Sequence, residues 1–131
     1  MRRHYIKIQS LRNQAWIADK CIVVVRFFDR LKGLIGKSAL ARGEGLFFPR
    51  CNDIHMWFMS IPIDVVFVRS NTNGAISGSR RFRVSSIHAN VEPWKFLPLR
   101  DANASETLEL PVGTIASADI QPGDELEVTD V

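Results

Sequence analysis

Cys51-Asn52-Asp53-Ile54-His55-Met56-Trp57-Phe58-Met59, continued past Ser60, Ile61 and Pro62 by Ile63-Asp64-Val65-Val66-Phe67-Val68, is the most apolar part of the chain. Its period decides the fold. Ile54, Met56 and Phe58 alternate with Asp53, His55, Trp57 and Met59, the two-residue repeat of a pleated strand. Beyond Pro62, the run from Ile63 to Val68 carries one acid, Asp64, and predicts a central strand.

Working outward, alternation continues on both sides. Tyr5, Ile6 and Ile8, then Ala15 to Val25, predict early strands. Between Phe27 and Ile35 the period changes. Phe27, Leu31 and Ile35 recur every four residues beside Phe28 and Leu34, while Arg26, Asp29, Arg30 and Lys32 take the other face. That spacing predicts a short amphipathic helix ended by Gly33 or Gly36, with a further turn from Lys37 to Arg42. Gly43-Glu44-Gly45 predicts a loop, and Leu46-Phe47-Phe48 a strand stopped by Pro49.

Downstream, Asn73-Gly74 suits the two positive φ angles of a type I′ hairpin turn. The returning strand passes through Ile76, with Phe82 and Val84 inward and Arg81 and Arg83 outward; Pro93-Trp94 interrupts the next segment. Leu108 and Leu110 alternate with Thr107 and Glu109 in a half-buried strand ended by Pro111. Thr114 is placed to cap one helical turn from Ile115 to Ala118. Pro122-Gly123 makes a tight turn, and Leu126 and Val128 alternate with Glu125 and Glu127 in the last strand. Roughly seven or more short strands with one or two short helices predict a mainly β fold, a small sandwich or barrel. Residues 1–131 are expected to form a single domain.

Composition narrows the function classes. The 131 residues are 46% hydrophobic and 24% charged, the balance of an ordinary globular protein. No stretch approaches the roughly 20 apolar residues that span a bilayer, and Tyr5 to Asp19 holds no signal-peptide apolar region. A cytoplasmic location without membrane association is therefore expected. A net charge of +3 and a pI near 9.2 fall short of a dedicated nucleic-acid binder. Arg80, Arg81 and Arg83 form the internal basic cluster, expected to guard a sheet edge. Cys21 and Cys51 are expected to be reduced thiols, given the compartment.

Several motifs resemble a known family when taken in order. They are Arg30-Leu31-Lys32-Gly33-Leu34-Ile35-Gly36-Lys37, Gly43-Glu44-Gly45-Leu46-Phe47-Phe48 and the block Cys51 to Met59 with Ile61 to Phe67. Pro93-Trp94-Lys95, Leu108-Glu109-Leu110-Pro111-Val112-Gly113 and Gly123-Asp124 complete the series. From about Ala15 to Val128 the chain resembles the domain-of-unknown-function family 192 (DUF192). The resemblance implies a predominantly β, sandwich-like fold and supplies no activity. Lys37 and Lys95 stand where arginine is usual, and Ile35 where methionine is common. Residues 70–92 match no family motif, so the arginine cluster inherits nothing from it.

The residues that could carry chemistry lie in the central block. On a strand, Cys51, Asp53, His55, Trp57 and Met59 share one face. Cys51 and His55 are then about 13 Å apart, too far to share an ion or to act as nucleophile and base. On a helix, Cys51, His55 and Met59 would instead stack as a thiolate, imidazole and thioether, a soft set suited to Cu(I). The extended period favours the first reading, with no catalytic residue and no cofactor. Asp64, inside an apolar run, needs a hydrogen-bonding partner, a proton or a wet cleft. Trp57 and Trp94 are either core anchors or an aromatic wall.

The leading expectation is a non-catalytic binding module in which His55, Trp57, Asp64 and Trp94 recognise a small ligand or a protein partner. A soft-metal site on Cys51, His55 and Met59, or a cysteine-dependent enzyme centred on Cys51 and His55, is the alternative. A purely structural interaction module is the third reading.

Overall fold

The computed structural model describes residues 4–25, 40–54, 61–71, 78–92 and 99–131. Their strands are β1 (His4–Ser10), β2 (Trp16–Val23), β3 (Glu44–Phe48), β4 (Asp53–Ile54), β5 (Ile63–Ser70), β6 (Ser79–Val91), β7 (Leu99–Arg100), β8 (Glu106–Pro111) and β9 (Glu125–Asp130). One short helix among them, α1, covers Thr114–Ser117. The predicted helix over 27–35 and the Asn73-Gly74 turn lie outside the described residues.

Seven strands close into a barrel in the order β1-β2-β3-β8-β5-β6-β9, with β9 pairing back onto β1. β4 and β7 form a separate two-stranded sheet. The mainly β expectation holds, and the sheet is a closed barrel rather than a sandwich. β2 and β3 run parallel, which requires a crossover, and residues 24–43 provide the length for it.

Alternation fills the barrel. Ile6, Ile8, Cys21, Phe47, Val66 and Leu108 are among the inward side chains of one buried cluster, which continues through Phe82, Val84, Leu126 and Val128. Phe47 meets Phe82 edge-on, with ring centroids 5.3 Å apart. The opposite faces of β3 and β5 are buried too. Leu46 and Phe48 pack with Val24, while Ile63, Val65 and Phe67 pack with Ile54, Val91 and Ala104. A strand covered on both sides has no reason to alternate, which explains the unbroken apolar run from Ile63 to Val68.

Four local expectations need correction. β8 is not half-buried: Thr107 and Glu109 are as buried as the leucines between them. Its outer face lies beside the doubly covered strands β3 and β5. Glu44 and Gly45 belong to β3, so the loop ends at Gly43. Thr114 does not cap α1; Gly113 is the N-cap residue, and the Thr114 hydroxyl donates to the Pro111 carbonyl at 2.8 Å. Arg81 and Arg83 guard no edge: Arg81 pairs with β9 while its carbonyl accepts from Asn71, and Arg83 lies between Arg69 on β5 and Glu125 on β9. Arg81 and Arg83 instead stand opposite Glu127 and Glu125 on β9, and Arg83 reaches Glu125 at 3.1 Å. Opposite charges facing across strands support that pairing by a fraction of a kcal/mol, roughly 0.2–1.

Candidate functional site

Asp64 is the second residue of β5, where the strand meets α1 at one end of the barrel. It is 1% exposed, and three backbone N–H groups converge on its carboxyl. Asn90 donates to Oδ1 at 2.9 Å. Gly113 and Ile115 donate to Oδ2 at 3.1 and 2.9 Å. Two of these donors sit at unusual backbone angles. Gly113 has φ 97°, open mainly to glycine, and Asn90 has φ 51°, which asparagine tolerates better than most residues. The acid inside the apolar run thus has partners, and it supplies the helix cap expected of Thr114. Its carboxyl ties α1 and the end of β6 to β5.

Of the other sequence-derived candidates, His55, Trp57, Met59 and Trp94 lie outside the described residues. Cys51 is half-buried and faces Leu46 and Phe48. Its thiol donates to the Asp53 carbonyl at 3.1 Å, its N–H donates to Ser105, and its carbonyl accepts the Thr107 hydroxyl. The central block therefore starts against the outer face of β8. Among the described residues, no group of three or more His, Cys, Asp and Glu side chains is arranged to hold a metal ion. Both cysteines are free. Burial alone raises the Cys21 thiol far above its ordinary range.

The same outer face holds a group that sequence reasoning missed. Glu109 is 1% exposed and lies between Leu46 on β3 and Val65 on β5. Its Oε1 is buried and has no hydrogen-bond partner among the described residues. Desolvation pushes the carboxyl up to about 8, so it is mostly protonated at neutral pH. On β8 the pattern leucine-glutamate-leucine reads as ordinary solvent-facing alternation. The burial requires segments that cover the outer face of β3, β8 and β5, Cys51, Ile54 and Ala104 among them, and local sequence does not encode that cover.

A polar chain adjoins this face. Val65 pairs with His88, whose ring stands edge-on to Phe67 at 5.6 Å. His88 Nε2 is 3.2 Å from Ser86 Oγ, and Ser86 donates to Asp101 Oδ2 at 2.7 Å. Partial burial would raise the Asp101 carboxyl, but hydrogen bonds from Ser86, Ser85 and Asn103, with help from His88, hold it below its ordinary range. The order is wrong for an activated serine. The hydroxyl gives its proton to a weakly basic carboxylate instead of the imidazole. This chain fixes the 101–105 turn to β6.

These features define a small closed β-barrel with a buried acid on its outer wall. The sequence profile of DUF192, described as Uncharacterized ACR, matches residues 9–128, and the chain belongs to that family. Two solved structures share the fold. One is a Sinorhizobium meliloti 1021 protein described provisionally as a transcription regulator, 21% identical, with a TM-score of 0.74 over 95% of this chain and 92% of that one. The other is a protein of unknown function from Novosphingobium aromaticivorans DSM 12444, 24% identical, with a TM-score of 0.71 over 93% of this chain and 82% of that one. No curated protein matches the chain. Among the described residues, no helix is long and apolar enough to cross a membrane.

Proposed function

We propose that this DUF192 protein is a non-catalytic binding module whose ligand is recognised on the outer face of β8, with the Glu109 carboxyl as its polar contact. The observation that carries this reading is a fully buried carboxyl oxygen without a hydrogen-bond partner among the described residues. Such a group costs stability, and ligand recognition is one reason to retain it. A protonated carboxyl offers one donor and an acceptor. It suits a small molecule bearing an ammonium or amide N–H, and a cationic ligand would draw off its proton. His55, Trp57 and Trp94 enter the proposal as ligand contacts. Asp64 enters as a positioning residue, because backbone donors already occupy its oxygens.

The test is a thermal-shift and calorimetric screen of amine- and amide-bearing small molecules against the wild type, Glu109→Gln and Asp64→Asn. The reading expects compounds that stabilise the wild type and lose at least about tenfold in affinity with Glu109→Gln. Amine hits should release a proton on binding, seen as a heat that varies with buffer ionisation enthalpy. Hits that bind Glu109→Gln equally well, or a screen in which no such compound binds, would count against it.

A further inference from the structure

We propose a second recognition site, for a zwitterionic small molecule with an aromatic body, in a groove between the start of β2 and α1. It is separate from the Glu109 face. The groove encloses about 540 Å³, and its lining includes Trp16, Asp19, Arg42, Gly43, Thr114 and Ser117. Volumes of roughly 300–1,000 Å³ are typical of small-molecule sites.

Irregular pairing brings these side chains together. The β1–β2 register shifts between Ile6 and Ile8 and again between Ile8 and Gln9. Along β2, Trp16 is exposed, Ile17 and Ala18 are buried, Asp19 and Lys20 are exposed, and Cys21 is buried. A regular pleat would send residues 16 and 19 to opposite faces; a bulge turns both outward. Asp19 and Lys20 then donate their N–H groups to the Gly43 carbonyl at 3.0 and 2.9 Å, which fixes the bulged strand against the turn bearing Arg42. Gly43 has φ 89°, and a Cβ there would lie 2.6 Å from Asp19 Oδ1. The carboxylate thus rests directly over Gly43, the residue that follows Arg42 in the chain.

Asp19 and Arg42 are both exposed, and among the described residues neither side chain forms a hydrogen bond or ion pair. Trp16 is 58% exposed, the largest of the exposed apolar side chains described. A simple anion would suit Arg42 but be repelled by Asp19, and a simple cation would meet the reverse. A molecule carrying both an ammonium and a carboxylate satisfies both charges, while its ring packs on the indole. A free aromatic α-amino acid is that chemistry.

Titration calorimetry with phenylalanine, N-acetylphenylalanine and phenylalaninamide tests the assignment. Phenylalanine should bind saturably, and each derivative, lacking one charge, should bind about tenfold more weakly or worse. Asp19→Asn should remove the penalty for the N-acetyl compound, and Arg42→Gln the penalty for the amide. Trp16→Ala should weaken phenylalanine, and Tyr5→Ala, which removes an exposed aromatic outside the groove, should leave its binding unchanged. Absence of saturable phenylalanine binding at millimolar concentration, equal binding of the three compounds, or unchanged selectivity in Asp19→Asn and Arg42→Gln would overturn it.

Discussion

Glu109 makes the stability of this protein depend on pH in a direction opposite to ordinary surface acids. In the folded chain its carboxyl is pushed up to about 8, from an ordinary value of 4.5. Between those values the folded state holds a proton that the unfolded chain releases, so stability falls as pH rises. The contribution is fully present below about 4.5 and is lost as pH climbs through about 8. Over that span, about 3.5 pH units at about 1.4 kcal/mol each, the loss approaches about 5 kcal/mol. That is a large part of the 5–15 kcal/mol typical of a domain.

The perturbation is Glu109→Gln, which keeps the shape and removes the titration. The assay is urea unfolding followed by tryptophan fluorescence, at intervals from pH 4.5 to 8, for both proteins. Asp101 and Asp119 are held below their ordinary 3.8, so they act at lower pH and with the opposite sign. The wild type should lose stability relative to Glu109→Gln steadily across the window. Parallel curves would refute the reasoning, because a carboxyl with a partner or with access to water would not resist ionisation.

Two further outcomes are expected. Asp64→Asn replaces one of two accepting oxygens by an amide NH₂ facing backbone donors, and should cost about 2–4 kcal/mol in chemical denaturation; a loss within error of zero would rule out the capping role. Cys21, fully buried with its thiol raised by desolvation, should resist alkylation in the native protein and react only after unfolding, so rapid native labelling of two thiols per chain would contradict the barrel interior.

Strand identity was legible wherever one face of a strand meets water. β1, β6 and β9 show it best, for Phe82 with Val84 and Leu126 with Val128 are buried between charged or hydroxyl-bearing neighbours. Asp64 was legible as a residue in need of a partner, because no acid sits alone in such an apolar run without one. Its partners were not, since Asn90, Gly113 and Ile115 come from two distant segments. The groove around Trp16 was hidden by the bulges in β2, although the doubled pattern of two apolar then two charged residues in Ile17-Ala18-Asp19-Lys20 is their trace.

By itself, then, the sequence determined a mainly β chain, the inward set of its alternating strands, and membership of a recognisable family, because side-chain period and turn chemistry act over a few residues. Only the tertiary structure decided that the sheet closes, that β8 lies between β3 and β5, and that the outer face bearing Glu109 is covered and the carboxyl desolvated. Strand order is set by contacts between residues far apart in the chain, and the desolvation of a carboxyl depends on every neighbour that such an order brings to it.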